Sequence, residues 1–186
     1  MPEKLFFCFV LLCFFISLKK RAWEDKRDAF LLRLAMAATV MADFMMIVAG
    51  NNKAGLVFFC IAQLVYAVRF KGIKKAAKTF VLAALVFGVS ALAAFRFMPY
   101  FYAEAHMALF YAVCILSAVS GSFAAYKKRP SRKKAIAFSG MALFLLCDIN
   151  VALFNLFHGI VFRVMIWVFY LPSQILLSLS AQTRNE

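Results

Sequence analysis

Two aspartates stand where apolar side chains belong. Asp43 lies in "VMADFMMIVAG" and Asp148 in "LLCDINVALFN". An ionisable group inside a membrane-type apolar run is costly and marks a functional site by default. Asp43 sits about seven residues, ~10 Å, from the end of its run, and Asp148 about nine residues, ~14 Å, from the end of its own. An aspartate is too short to snorkel that far. A single such residue is as readily a structural carboxyl bridging two helices. Two at similar depth favour chemistry. Paired carboxyls in a low dielectric divide their labour: one keeps a proton and acts as acid, the other stays ionised to stabilise a cation or orient water. The same pairing also serves proton relays.

Other polar residues join them by helical spacing. Asn155 follows Asp148 by seven residues, on the same face. Gln63 and Tyr66 are three apart. Tyr170 and Gln174 are four apart, with Arg163 seven before Tyr170. Tyrosines often anchor helices at the membrane surface, but Tyr66 and Tyr170 fall in the middle of their runs. Pro172, between Tyr170 and Gln174, is expected to kink its helix and free a carbonyl.

These residues need elements to position them, and the chain supplies apolar runs. Hydrophobic residues make up 66% of the 186, with mean hydropathy +0.86. Soluble domains are nearer 45–50% apolar, so a single polytopic membrane domain over residues 1–186 is expected. The runs cover about 5–18, 29–50, 54–70, 79–97, 102–126, 135–157 and 160–181. Backbone in lipid must satisfy its own hydrogen bonds, so each run is predicted to be a helix. The fold class is therefore all-α, a bundle of about seven transmembrane helices. The first run is short, but "KKRAWEDKR" follows it where a signal peptide would carry a cleavage site. It reads as a short anchor helix.

The net charge of +14 has a topological explanation. Of the 22 basic residues, all but Lys4, Lys53, Arg96 and Arg163 lie on one side, in alternate gaps between the runs, just inside the adjoining helices (Arg33, Arg69) or in the tail. The positive-inside rule then predicts an outward N-terminus and an inward C-terminus. The basic gaps lie near anionic lipid headgroups, and nucleic-acid binding is not expected. The five cysteines, Cys8, Cys13, Cys60, Cys114 and Cys147, lie in apolar runs without C-x-x-C spacing and read as packing residues. His106 and His158 are too far apart for a local ligand motif, so no metal site and no cofactor are expected. No G-x-S-x-G supports serine-lipase chemistry, and the last run has no lysine for a retinal Schiff base.

"MADFMMIVAGNNKAGLVFFCIAQLVYAVRF", "LLCDINVALFN" and "YLPSQILLSLS" together resemble the YhhN family, also called the lysoplasmalogenase or transmembrane protein 86 family. Asp43, Gly55, Phe59 and "AQLVY" fill its first set of motifs; "CDINVALFN" and "YLPSQ" fill its second. The likeness covers about Leu31 to Ser180. Where the family usually has histidine, serine before the second aspartate, and Ala-Gln, this chain has Gln63, Cys147 and Ser173-Gln174. Family members commonly have eight helices, against seven here. The two hairpins have a further likeness to each other: Asp43 precedes Tyr66 by 23 residues, and Asp148 precedes Tyr170 by 22. An internal repeat with its axis along the membrane normal would bring the aspartates face to face.

The resemblance implies hydrolysis of the vinyl ether bond of lysoplasmalogens, giving a fatty aldehyde and a glycerophospho-headgroup. A vinyl ether is protonated at carbon and water then adds to the oxocarbenium ion, so an acid and a carboxylate are both needed. Asp43 and Asp148 are expected in these roles. Gln63, Asn155 and Gln174 are expected to orient water and the ether oxygen. Tyr66 and Tyr170 would bond the carboxyls or flank the cation, and Arg163 would hold the lipid phosphate. The expected partner is a lysophospholipid from the bilayer, and the expected location is a bacterial inner membrane. The rivals are a lipid-binding or transport protein of the same fold, and a structural subunit whose polar residues are interhelical glue.

Overall fold

The computed structural model describes residues 2–19, 25–97 and 103–180, and these are helical almost throughout. The order is α1 (Pro2–Leu18), α2 (Lys26–Asp43), α3 (Asn52–Lys71), α4 (Ile73–Phe97), α5 (Ala103–Lys128), α6 (Arg132–Phe157) and α7 (Ile160–Ser180). Immediately after Asp43, α2 widens into a π-helical turn over Phe44–Val48.

Local chemistry sets the helix ends. Asp25 accepts from the backbone N–H groups of Arg27 and Asp28 at the start of α2. Asn51 Oδ1 accepts from Ala54 N–H at 3.0 Å and starts α3. Ser131 Oγ accepts from Lys134 N–H and starts α6. Each satisfies a donor that the first turn leaves open. Gly72, at φ +83°, breaks the chain between α3 and α4 in one residue. As a result α4 begins at Ile73 rather than near residue 79. Lys74, Lys75 and Lys78, expected in a loop, lie on its first two turns.

Among the described residues, six stretches are long and apolar enough to cross a membrane: Lys26–Val48, Asn52–Lys71, Ile73–Ala93, His106–Lys128, Arg132–Phe157 and Ile160–Ser180. The seventh expected span survives as the shorter apolar helix Lys4–Leu18. Helix α1 packs on both α2 and α7, burying Val10 and Cys13 in the core with Leu32, Met36, Met141, Phe144 and Leu177. The neighbour relations then close on themselves: α1 on α2, α2 on α3, α3 on α5, α5 on α6, α6 on α7, and α7 back on α1. Helix α4 stays outside this ring, against α3 and α5. Its outer face exposes Phe80, Val81, Leu82, Leu85 and Leu92, as a lipid-facing helix should.

One end of the ring is tied by charge. Arg69, near the end of α3, makes a bidentate pair with Asp28 at the start of α2, with Nε at 2.7 Å and Nη2 at 3.0 Å. Its Nη1 donates to Ser180 Oγ on α7 at 3.0 Å. Lys133 on α6 reaches the same carboxylate at 2.8 Å. Three helices meet at one carboxylate, and α7 joins them through Arg69. The Arg69 side chain is 1% exposed, so the pair is largely desolvated and its geometry matters. Asp28 lies ~22 Å along α2 from Asp43, so this clasp is remote from the polar residues described next.

Candidate functional site

Asp43 and Asp148 each take one short hydrogen bond from a phenol. Tyr170 on α7 donates its hydroxyl to Asp43 Oδ2 at 2.6 Å. Tyr111 on α5 donates to Asp148 Oδ2, also at 2.6 Å. The two pairs sit on neighbouring members of the ring, one joining α2 to α7 and the other α5 to α6. Asp43 is buried, whereas Asp148 is partly open.

The local backbone around Asp43 is unusual. It is the last α-helical residue before the π turn, and such turns recur at functional sites. The turn is held close to α3 by Gly55. A Cβ there would collide with Met46 Cγ and stand 3.0 Å from the Ala42 carbonyl oxygen.

Aromatic rings fill the space between the two phenols. Tyr111 meets Phe59 edge-on at 6.2 Å, Phe59 meets Phe144 at 6.0 Å, and Phe144 meets Tyr170 at 5.5 Å. On its other side Tyr170 stacks on Phe6 of α1 at 4.7 Å, and Phe6 abuts Trp167 at 4.8 Å. Helix α1, although short, thus supplies one wall of the site.

Gln63 is fully buried and donates from Nε2 to Tyr111 Oη at 3.3 Å. Among the described residues its Oε1 has no partner, and neither do Tyr66 Oη and Gln174 Oε1. Gln174 Nε2 makes only a long contact of 3.5 Å with Ser173 Oγ. A buried polar atom without a partner costs free energy and is normally satisfied by water or ligand. Three in one bundle, on α3 and α7, amount to a polar interior waiting for donors and acceptors.

The family relationship can be stated at this point, because the match runs through all of these residues: the YhhN family model covers residues 4–181. The chain belongs to the YhhN family. No curated protein and no solved structure matches it. Membership in the YhhN family extends the motif likeness to nearly the whole chain, including α1 and the middle helices.

Of the residues singled out in the sequence, the fold gathers Asp43, Gln63, Asp148, Tyr170 and Gln174. Tyr66 is buried, but it stacks on Phe70 at 6.3 Å and touches neither carboxyl through its hydroxyl. The pairing therefore does not follow the hairpin repeat. Tyr170 serves the aspartate of the other hairpin, and Asp148 is served from α5. Asn155 is exposed near the end of α6, away from the buried set, because seven residues carry it two turns beyond Asp148. Arg163 is exposed on the first turn of α7. Helix α7 runs unbroken through Pro172. Tyr111 was missed. Its signal was the one applied to Tyr66 and Tyr170, a tyrosine in the middle of an apolar run, but nothing in its spacing links it to Asp148. A separate groove on α4, lined by Leu85, Val86, Val89, Ser90 and Ala93, includes none of the polar set.

Proposed function

We propose that this protein is a membrane-embedded hydrolase that cleaves the vinyl ether bond of lysoplasmalogens. The observation that carries the reading is the pair of carboxyls within the apolar bundle, each held by a phenol at 2.6 Å, beside buried glutamine oxygens without a partner among the described residues. Structural glue would be expected to consume its own hydrogen-bonding capacity. This set leaves Gln63 Oε1 and Gln174 Oε1 as buried acceptors.

The chemistry follows from those groups. One carboxyl donates its proton to the alkene carbon remote from oxygen, using the π electrons to form the C–H bond. The cation left on the oxygen-bearing carbon is flanked by Phe59 and Phe144, whose ring faces attract positive charge, and faces the other carboxylate. A water molecule gives one hydrogen to a buried glutamine oxygen, Gln63 Oε1 or Gln174 Oε1, and the other to the standing carboxylate, which turns a lone pair to the cation. The carboxylate removes a proton as the C–O bond forms, and a hemiacetal results. Its collapse releases the aldehyde. The hemiacetal proton returns to the first carboxyl, and the second gives its proton to the departing glycerol oxygen. Both groups regain their starting states, and one water is consumed.

Arg163 offers a guanidinium to the lipid phosphate at the membrane surface. It lies seven residues from Tyr170, or ~10 Å along α7, which leaves room for glycerol between phosphate and vinyl ether. A one-chain lipid would enter between helices with its tail left in the bilayer.

The test is aldehyde release from a vinyl-ether lysolipid by the purified protein, beside its Asp43→Asn and Asp148→Asn variants. Wild-type release, lost in folded variants, is expected. Full activity in both variants would refute the mechanism. A folded wild type that releases nothing from several vinyl-ether lysolipids would refute the activity.

A further inference from the structure

We infer that the two carboxyls are not interchangeable: Asp43 is the proton-bearing acid, Asp148 is the standing carboxylate, and Tyr111 with Gln63 are the positioning residues that keep it so. This assignment rests on the hydrolase reading for its roles, but it can be read without substrate.

The two aspartate–tyrosine pairs have the same length and different surroundings. Tyr111 is the middle of a chain. Its oxygen accepts from Gln63 Nε2 at 3.3 Å, and its single hydrogen goes to Asp148 Oδ2 at 2.6 Å. A phenol that accepts a hydrogen bond becomes a stronger donor, so the chain polarises towards Asp148. The amide orientation fits the same polarity: with Nε2 on the phenol, Gln63 cannot draw the Tyr111 hydrogen away from the carboxylate. The result is a fixed direction, Gln63 to Tyr111 to Asp148, ending in negative charge.

Tyr170 has no such reinforcement among the described residues. It donates to Asp43 Oδ2, and its neighbours are the Phe6 and Phe144 rings, which offer its oxygen no strong donor. Asp43 is 4% exposed and has no basic partner among the described residues. An unpaired charge there would be expensive. A neutral carboxyl accepts from Tyr170 through Oδ2 and keeps its hydrogen on Oδ1, free to be given to carbon. Asp148 is more open and its one phenol donor is polarised by Gln63, which suits a group that must carry charge and meet water.

In the reaction cycle the assignment fixes the order of proton movement. The Asp43 Oδ1 proton goes to carbon first, the water proton goes to Asp148, and each group is restored as the hemiacetal collapses.

The experiment is infrared spectroscopy of the purified protein at neutral pH, without substrate, reading the C=O stretch of protonated carboxyls and its downshift in D2O. One such band is expected in the wild type. It should vanish in Asp43→Asn and persist in Asp148→Asn. Should Asp43→Asn not fold, Tyr170→Phe keeps the test open: loss of its hydrogen bond should raise the band frequency, while Tyr111→Phe should leave the band in place. Absence of the band, its loss in Asp148→Asn, or its movement in Tyr111→Phe but not Tyr170→Phe would overturn the assignment. Tyr111→Phe should also lower kcat about 10–100-fold, the usual weight of a hydrogen bond to a charged group, with KM little changed. A protein that shows the Asp43 band but releases no aldehyde would refute the hydrolase reading alone. One that releases aldehyde with the band on Asp148 would refute this assignment alone.

Discussion

Gly55→Ala is the smallest change that should disable the site without touching a polar group. Helix α3 runs so close to the π turn after Asp43 that an added methyl carbon would overlap Met46 Cγ and lie 3.0 Å from both Met46 Sδ and the Ala42 carbonyl oxygen. Carbon atoms pack comfortably at about 3.5–4.0 Å. The Met46 chain can swing aside, but the Ala42 carbonyl is backbone and sits next to Asp43. Relief therefore requires α2 and α3 to separate by roughly 0.5–1 Å. Overpacking of this kind costs about 1–3 kcal/mol. Its effect on chemistry should exceed its effect on stability. A shift of about 1 Å in a reacting group can lower rate ~100-fold, and the Asp43–Tyr170 bond joins a helix that would move to one that would not. The assay is aldehyde release together with thermal unfolding in detergent. The expected result is a modest fall in Tm with a fall in kcat of about 10–100-fold. Wild-type Tm and wild-type rate together would show that the α2–α3 approach is slack and that Asp43 does not depend on it.

Three further perturbations probe separate parts of the structure. Arg69→Leu leaves Asp28 with Lys133 alone and Ser180 without its donor; it should destabilise by about 3 kcal/mol, seen as lower Tm in detergent, and a loss below about 1 kcal/mol would mean the clasp is solvated. Gln63→Leu removes the donor to Tyr111 and should lower kcat about tenfold. Gln63→His, which restores an N–H at that position, should recover most of it, and equal rates in the two variants would exclude donation as the role of Gln63. Phe6→Ala removes two aromatic contacts, each worth about 0.5–1.5 kcal/mol, and should loosen Tyr170; unchanged Tm and activity would mean that α1 is dispensable to the site.

Much of this was legible in the sequence because hydropathy is a one-dimensional signal. Seven apolar runs became seven helices, and the two aspartates inside them were conspicuous for the same reason. Tyr111 was not, since its bond to Asp148 spans 37 residues and two helices whose rotation about their axes no periodicity records. The basic residues do more than charge counting recorded. Arg69 and Lys133 counted as topological charges, yet both are bound to Asp28, because a carboxylate at a helix start draws any arginine that packing brings beside it. The early start of α4 depended on one left-handed glycine, which looked like an ordinary loop residue. The π turn has no compositional signature at all. It follows from how α3 meets α2, a property of the pair.

The hairpin repeat deserves a physical reading rather than dismissal. Helices α2 and α3 contribute a carboxyl, a glutamine and a tyrosine in Asp43, Gln63 and Tyr66; α6 and α7 contribute the same types in Asp148, Gln174 and Tyr170. Had pairing been symmetric, Tyr170 on Asp43 would be matched by Tyr66 on Asp148, and two equivalent carboxyls would compete for one proton with no preference between them. The bundle breaks that equivalence by one substitution of partner. Tyr111, from α5, takes the place of Tyr66 and brings Gln63 with it as a second donor. Tyr66 is left with a buried, unpartnered hydroxyl. Helix α5 lies in the ring between the two hairpins with no counterpart on the other side, because α1 occupies the corresponding gap between α2 and α7 and supplies an aromatic ring instead of a donor. Acid hydrolysis of a vinyl ether needs unequal carboxyls. On the proposed mechanism, the unequal fillers of the two gaps, a hydrogen-bonding tyrosine in one and a stacking phenylalanine in the other, would be the source of that inequality.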